Sequence, residues 1–188
     1  MADPFALQEL RIRQPGKVMP GRARYEIFDP SKNLLAVATE TERRSRIDTI
    51  TGMVPGRRAL EVRTAAGEPL LTLVNRESQW CAELIGPDGE LIGKIQIGDS
   101  RRDYTLIDHE DQIIGQAVGD LAVKQFAVTG ADGERYAQIR KTWAGVRKEF
   151  FTDADHYSVT FTGPAPSRVR MLIVMVAIVL DMSRYGPY

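Results

Sequence analysis

Short apolar–polar alternations fill the middle of the chain, broken by turn residues at a fixed interval. Gly67, Gly89, Asp111 and Gly133 follow one another at a spacing of 22 residues. Each stands in a short polar turn, such as Pro87-Asp88-Gly89-Glu90 or Ala131-Asp132-Gly133-Glu134. Apolar runs flank every turn: Ala82-Glu83-Leu84-Ile85 and Leu91-Ile92-Gly93-Lys94-Ile95 around the second, Phe126-Ala127-Val128 and Tyr136-Ala137-Gln138-Ile139 around the fourth. Alternation with a period of two is the mark of a half-buried strand, and Asp-Gly between two such runs predicts a hairpin because glycine accepts positive φ. The same plan fits Tyr25–Phe28 and Leu34–Val37 around Asp29–Asn33, and predicts a last pair, 149–151 and 157–161, around Asp153-Ala154-Asp155. The stretch 39–58, charged and containing Gly52-Met53-Val54-Pro55-Gly56, reads as a loop.

One segment breaks the pattern. Met171 to Leu180 (MLIVMVAIVL) is apolar at every position, between Arg168 and Arg170 on one side and Asp181 and Arg184 on the other. A membrane-spanning helix needs about 20 apolar residues, so this run is too short to cross and reads as a buried core element. Its β-branched content would suit a strand equally well. The hairpins decide for a helix. Six strand pairs make about twelve antiparallel strands, and a meander of that length closes to remove its edges. Such a barrel is too wide for wall side chains alone to fill, since about eight strands is nearer that limit. Pro164 and Pro166 stop the last strand and Ser167 offers an N-cap hydroxyl. The expected fold is mainly β: a closed antiparallel barrel of about twelve strands around a buried C-terminal helix, 167–183, in a single domain over 1–188. Gly93 and Gly115, four residues past their turns, mark sites of bending or close backbone approach. The flanking charges oppose the helix dipole, each by about 0.3–1 kcal/mol, so Arg168, Arg170 and Asp181 need partners on the rims or a bound group.

Charge refines the picture. The totals balance at 25 Lys/Arg against 25 Asp/Glu, but residues 1–60 hold 11 against 7 and residues 61–139 hold 7 against 14. The acidic middle argues against a nucleic-acid partner. The basic N-terminal part (Arg11, Arg13, Lys17, Arg22, Arg24, then Arg43, Arg44, Arg46, Arg57 and Arg58) is the candidate surface for anionic lipid. The plainer reading is solvated side chains on separate strands and loops. Cys81 is the single cysteine, which excludes a disulfide framework and a thiolate metal site. With no apolar leader stretch, a cytoplasmic setting is the expectation. No catalytic set emerges: His109 and His156 lie by turns, Gly-Pro-Asp-Gly at 86–89 is hairpin chemistry, and no nucleophile motif is present. Trp80 and Trp143 read as half-buried barrel aromatics.

The segment from Ile139 to Asp155, with Lys141, Trp143, Gly145, Lys148 and Glu149 ahead of Phe151-Thr152-Asp153-Ala154-Asp155, resembles the phospholipid scramblase family. Tyr157 and Phe161 fall where that family has aromatics, and the apolar run with Asp181 falls on its C-terminal helix. The resemblance extends upstream through Leu70–Leu73, Arg76 and Tyr25–Ile27, so it covers the chain from about residue 5. The wider group includes LURP-one-related and tubby-like proteins, and the resemblance implies a twelve-stranded barrel threaded by a C-terminal helix. It also implies a lipid-associated protein without enzymatic activity, peripheral at the inner face of the plasma membrane and binding anionic phospholipid. Transbilayer scrambling is the less expected activity, because a chain without a spanning helix offers a headgroup no obvious route. A soluble module binding a protein partner or small ligand is the alternative. The family's Ca²⁺ segment is degraded here. Counted from Asp153, position three is Asp155, but positions five, nine and twelve are Tyr157, Phe161 and Pro164, where a Ca²⁺ loop places oxygen ligands. Asp153 and Asp155 alone form an incomplete Ca²⁺ pair, a structural turn is preferred, and no cofactor is expected.

Overall fold

A computed structural model describes residues 3–15, 23–41, 57–76, 80–142 and 156–184. The strands, in order, are β1 (Glu9–Arg13), β2 (Arg24–Phe28), β3 (Leu34–Glu40), β4 (Arg57–Thr64), β5 (Pro69–Arg76), β6 (Cys81–Ile85), β7 (Leu91–Ile97), β8 (Asp103–Asp108), β9 (Ile113–Gly119), β10 (Gln125–Gly130), β11 (Arg135–Thr142) and β12 (His156–Phe161), followed by helix α1 (Ser167–Arg184). Each strand pairs antiparallel with its sequence neighbours, and β1 pairs with β12 to close the barrel.

The twelve-strand barrel is the expected one, but its closing stave is not. Glu9-Leu10-Arg11-Ile12-Arg13 alternates cleanly, with Leu10 and Ile12 buried, and takes the place beside β12; the predicted strand at 149–151 lies outside the described residues. A five-residue strand without a hairpin turn signal leaves little trace in sequence beyond that alternation.

Helix α1 fills the lumen. From Leu172 to Leu180 no side chain is more than 2% exposed, a condition met on every face of a helix only when the barrel surrounds it. The inward residues of the wall (Leu10, Ile27, Leu60, Leu73, Leu84, Ile95, Leu106, Val128, Ile139, Val159) form one core with it. Each fully buried aliphatic contributes about 1.5–3 kcal/mol, enough to override the weak helix preference of its β-branched residues. A further strand would find no free edge. The first helical bond runs from Arg170 N to Pro166 O, so Pro166, not Ser167, occupies the cap position and Ser167 begins the first turn. Gly93 lets the wall approach the helix: a Cβ there would lie 2.5 Å from Ile107 O and 3.0 Å from Leu172 Cδ1. At Gly115 it would lie 2.6 Å from Thr129 O.

The barrel has two unlike ends. The connections β2–β3, β4–β5, β6–β7, β8–β9 and β10–β11 form one end, the turn rim, where α1 enters. Here Gly67, Gly89 and Gly133 take φ of 89°, 88° and 82°, and each donates its N–H three residues back, to Thr64, Gly86 and Gly130. Asp111 fills the same place in the β8–β9 turn with φ 60°. The opposite end, where α1 finishes, is the polar rim.

Candidate functional site

The flanking charges of α1 find protein partners. Arg170 donates to the carbonyls of Phe5 (2.7 Å) and Leu7 and stacks over Phe161 at 3.6 Å, tying the N-terminal segment across the turn rim. Arg168 lies 3.4 Å from His109. At the other end, Asp181 is fully buried and accepts from the hydroxyls of Tyr25 (2.8 Å) and Tyr157 (3.2 Å). Two phenol donors offset the unfavourable dipole end, since hydrogen bonds to a charged group contribute about 1.5–3 kcal/mol. Burial first, and the Asp181 charge next, push the Tyr25 phenol well above its ordinary value.

Around Asp181 lies a polar layer across the lumen mouth. Glu40, Asn75, Lys141 and Asp181 are the buried polar or charged residues among those described. The first three are the last inward positions of β3, β5 and β11, so all four sit at the polar rim. Glu40 receives Arg58 Nε at 2.9 Å and the Ala23 amide at 2.8 Å. Arg58 therefore belongs to a part-buried ion pair with Glu40 and not to the basic surface. Lys141 stands 5.4 Å over the Tyr157 ring. The Tyr25 and Tyr157 bonds to Asp181 tie the end of α1 to the wall, and among the described residues the layer contains no nucleophile–base pair.

The concave feature is on the outside. A cleft of about 470 Å³ runs over the outer faces of β1, β2 and β12. Alternation turns Glu9, Arg11 and Arg13 outward on β1, and the register sets Arg13 beside His156 and Arg11 between Ser158 and Phe28. Lys32, from the β2–β3 turn, completes the lining. Three basic side chains thus share the cleft with one carboxylate, Glu9, and with an aromatic wall, Phe28, over which Arg13 lies at 5.2 Å. Arg11 contacts Glu9 at 3.1 Å, and Arg13 and Arg24 both contact Glu26, at 2.6 and 3.3 Å. These pairs are largely exposed, so they fix orientation more than they stabilise.

Of the expected basic residues, the structure brings Arg11 and Arg13 into the cleft and Arg24 to its edge. Lys17, Arg22, Arg43, Arg44 and Arg46 lie outside the described residues, as do Asp153, Asp155 and Trp143. Lys32, Phe28, His156 and Ser158 were not anticipated: they converge only because β1 separates β2 from β12, and that strand was missed. Trp80 is not a wall aromatic but a rim-loop residue, 41% exposed with φ 50°. Among the described residues no group of three or more His, Cys, Asp or Glu is placed to hold a metal ion. No helix among them is long and apolar enough to cross a membrane.

A family model described as Scramblase matches residues 21–186. That span begins after β1, so Arg11 and Arg13 fall outside the matched stretch. No curated protein matches the chain. Among solved structures, the X-ray structure of an Arabidopsis thaliana protein is similar with a TM-score of 0.58, at 13% identity, covering 97% of this chain and 96% of that one. The likeness establishes the barrel-and-helix fold.

Proposed function

The chain belongs to the scramblase family, and from that membership we propose that it binds anionic phospholipid at a membrane surface through the cleft on β12, β1 and β2. The observation that carries this reading is the convergence of Arg11, Arg13 and Lys32 beside Phe28 in one open concavity. Guanidinium groups suit phosphate oxygens because their planar donors engage two at once, and the aromatic edge offers apolar contact to glycerol and the upper acyl chain. Scrambling of lipid between leaflets would require a route through hydrocarbon that a surface cleft does not provide, so binding is the activity assigned. A lipid-independent interaction with a protein is the competing outcome.

Flotation with vesicles containing phosphatidylserine or a phosphoinositide, at low salt, tests the proposal. Arg11→Ala with Arg13→Ala is expected to weaken association roughly thirtyfold, from about 1 kcal/mol per cation near an anionic surface. Their ion pairs are exposed, so folding is preserved. Absence of flotation by the unaltered protein removes the reading.

A further inference from the structure

We infer that the polar rim is the end of the barrel that enters the bilayer interface, with Leu121 and Trp80 as the inserting side chains. The inference rests on the lipid-binding reading and adds an orientation to it. Leu121 is 90% exposed and Trp80 41%, and a chain of contacts joins them along one edge. The Trp80 carbonyl accepts from Ile97 N (2.7 Å) and Gln96 Nε2 (3.0 Å). Arg101 stacks over the Trp80 ring at 5.1 Å. The carbonyl of Arg102 accepts from Gly119 N at 2.7 Å, and Leu121 follows two residues later.

The leucine is displayed by a built loop. Asp120 Oδ1 accepts from the amides of Lys124 (2.7 Å) and Gln125 (3.3 Å), and Val123 N donates to Asp120 O at 3.0 Å. The Asp120 carboxylate, held below its usual range by the Lys124 amide, is turned into its own loop. Asp103 likewise receives Ser100 Oγ at 2.7 Å. Preorganised apolar tips lose little freedom on insertion.

The occupant is an anionic bilayer and not a protein. A stable protein interface covers about 800 Å² on each partner, whereas among the described residues these tips stand singly, beside Arg101, Arg102 and Lys124, with the exposed Asp99 in the same turn as the two arginines. A tryptophan with a cation on its face and a projecting leucine match the headgroup boundary, where indole sits at the interface and arginine reaches phosphate. Across the barrel, Arg13 and His156 stand at the polar-rim ends of β1 and β12. A membrane meeting this rim therefore brings headgroups to the cleft as well.

The experiment uses full-length protein with Cys81→Ser, carrying an environment-sensitive fluorophore on Leu121→Cys or, at the turn rim, on Ile113→Cys, a position 57% exposed. Vesicles are phosphatidylcholine with and without phosphatidylserine, and spin-labelled lipid serves as quencher. The expected result is a blue-shifted, lipid-quenched signal at 121 with phosphatidylserine present and an aqueous signal at 113. Leu121→Asp should lower vesicle association about tenfold, with an unchanged melting temperature, and Ile113→Asp should leave association unaltered. Flotation with an aqueous signal at 121 overturns the orientation alone. Loss of flotation altogether overturns the lipid reading with it. A lipid-free dimer abolished by Leu121→Asp would assign the rim to self-association.

Discussion

The two ends of the barrel build similar turns from different residues. At the turn rim, the residue that donates three positions back is glycine in three of the five turns (Gly67, Gly89 and Gly133), with nothing within 4 Å of where a side chain would begin, and Lys32 or Asp111, at φ of 69° and 60°, in the other two. At the polar rim, Arg101 donates to Gly98 O and Val123 to Asp120 O in the same manner, with φ of 54° at both. Left-handed backbone costs a residue with a Cβ roughly 1–2 kcal/mol, more for a β-branched one. The polar rim also buries Asn75, whose Oδ1 has no partner among the described residues, and holds the charged layer around Asp181. Three of five turns at one end place glycine at the left-handed position, whereas both of these polar-rim turns place a residue with a Cβ there, next to buried charge.

The largest test of that contrast is Glu40→Ala. It strips the part-buried Arg58 of this carboxylate and the Ala23 amide of its acceptor, and should destabilise by about 3 kcal/mol in chemical denaturation. Glu40→Leu with Arg58→Met should restore most of the loss, because an apolar replacement removes the charge that has lost the Glu40 carboxylate. Exchanging turn residues should give effects of opposite sign: Gly133→Val should lose about 2 kcal/mol, and Val123→Gly should gain about 1 kcal/mol after the entropy of glycine is subtracted. Equal effects at both ends would erase the distinction drawn here. The smallest effect at ordinary pH concerns Tyr25. Its phenol is raised in the folded state by burial and by Asp181, so the stabilisation is complete below the unfolded value of 10.0 and is lost as pH rises toward the folded one. Alkaline unfolding monitored by tyrosinate absorbance should weaken in Tyr25→Phe.

Local patterns disclosed what local forces determine. The 22-residue spacing of turn residues announced four hairpins, because glycine at positive φ is a requirement of one peptide unit. The all-apolar stretch from Met171 announced a core helix by length and composition. The site was legible only in part. Arg11 and Arg13 stood out as charges, yet their neighbours Phe28 and His156 are brought to them by the β1 pairings on its two sides, and Lys32 by the turn that follows β2. The Tyr25–Asp181 bond spans 156 residues, and no periodicity encodes such a partner. Trp80 was misread because a tryptophan in an alternating stretch looks like wall until its backbone dihedral is known.

Strand β1 is at once the last stave of the wall and the floor of the cleft, and Arg170 clasps the segment leading into it. The ends of the chain must therefore meet before the cleft exists, a closure of high contact order and so a slow one. On the proposed lipid-binding reading, an anion held between β12 and β2 would recognise only the sealed molecule and hold it sealed by mass action. Ligand occupancy and barrel closure would then be two readings of one equilibrium.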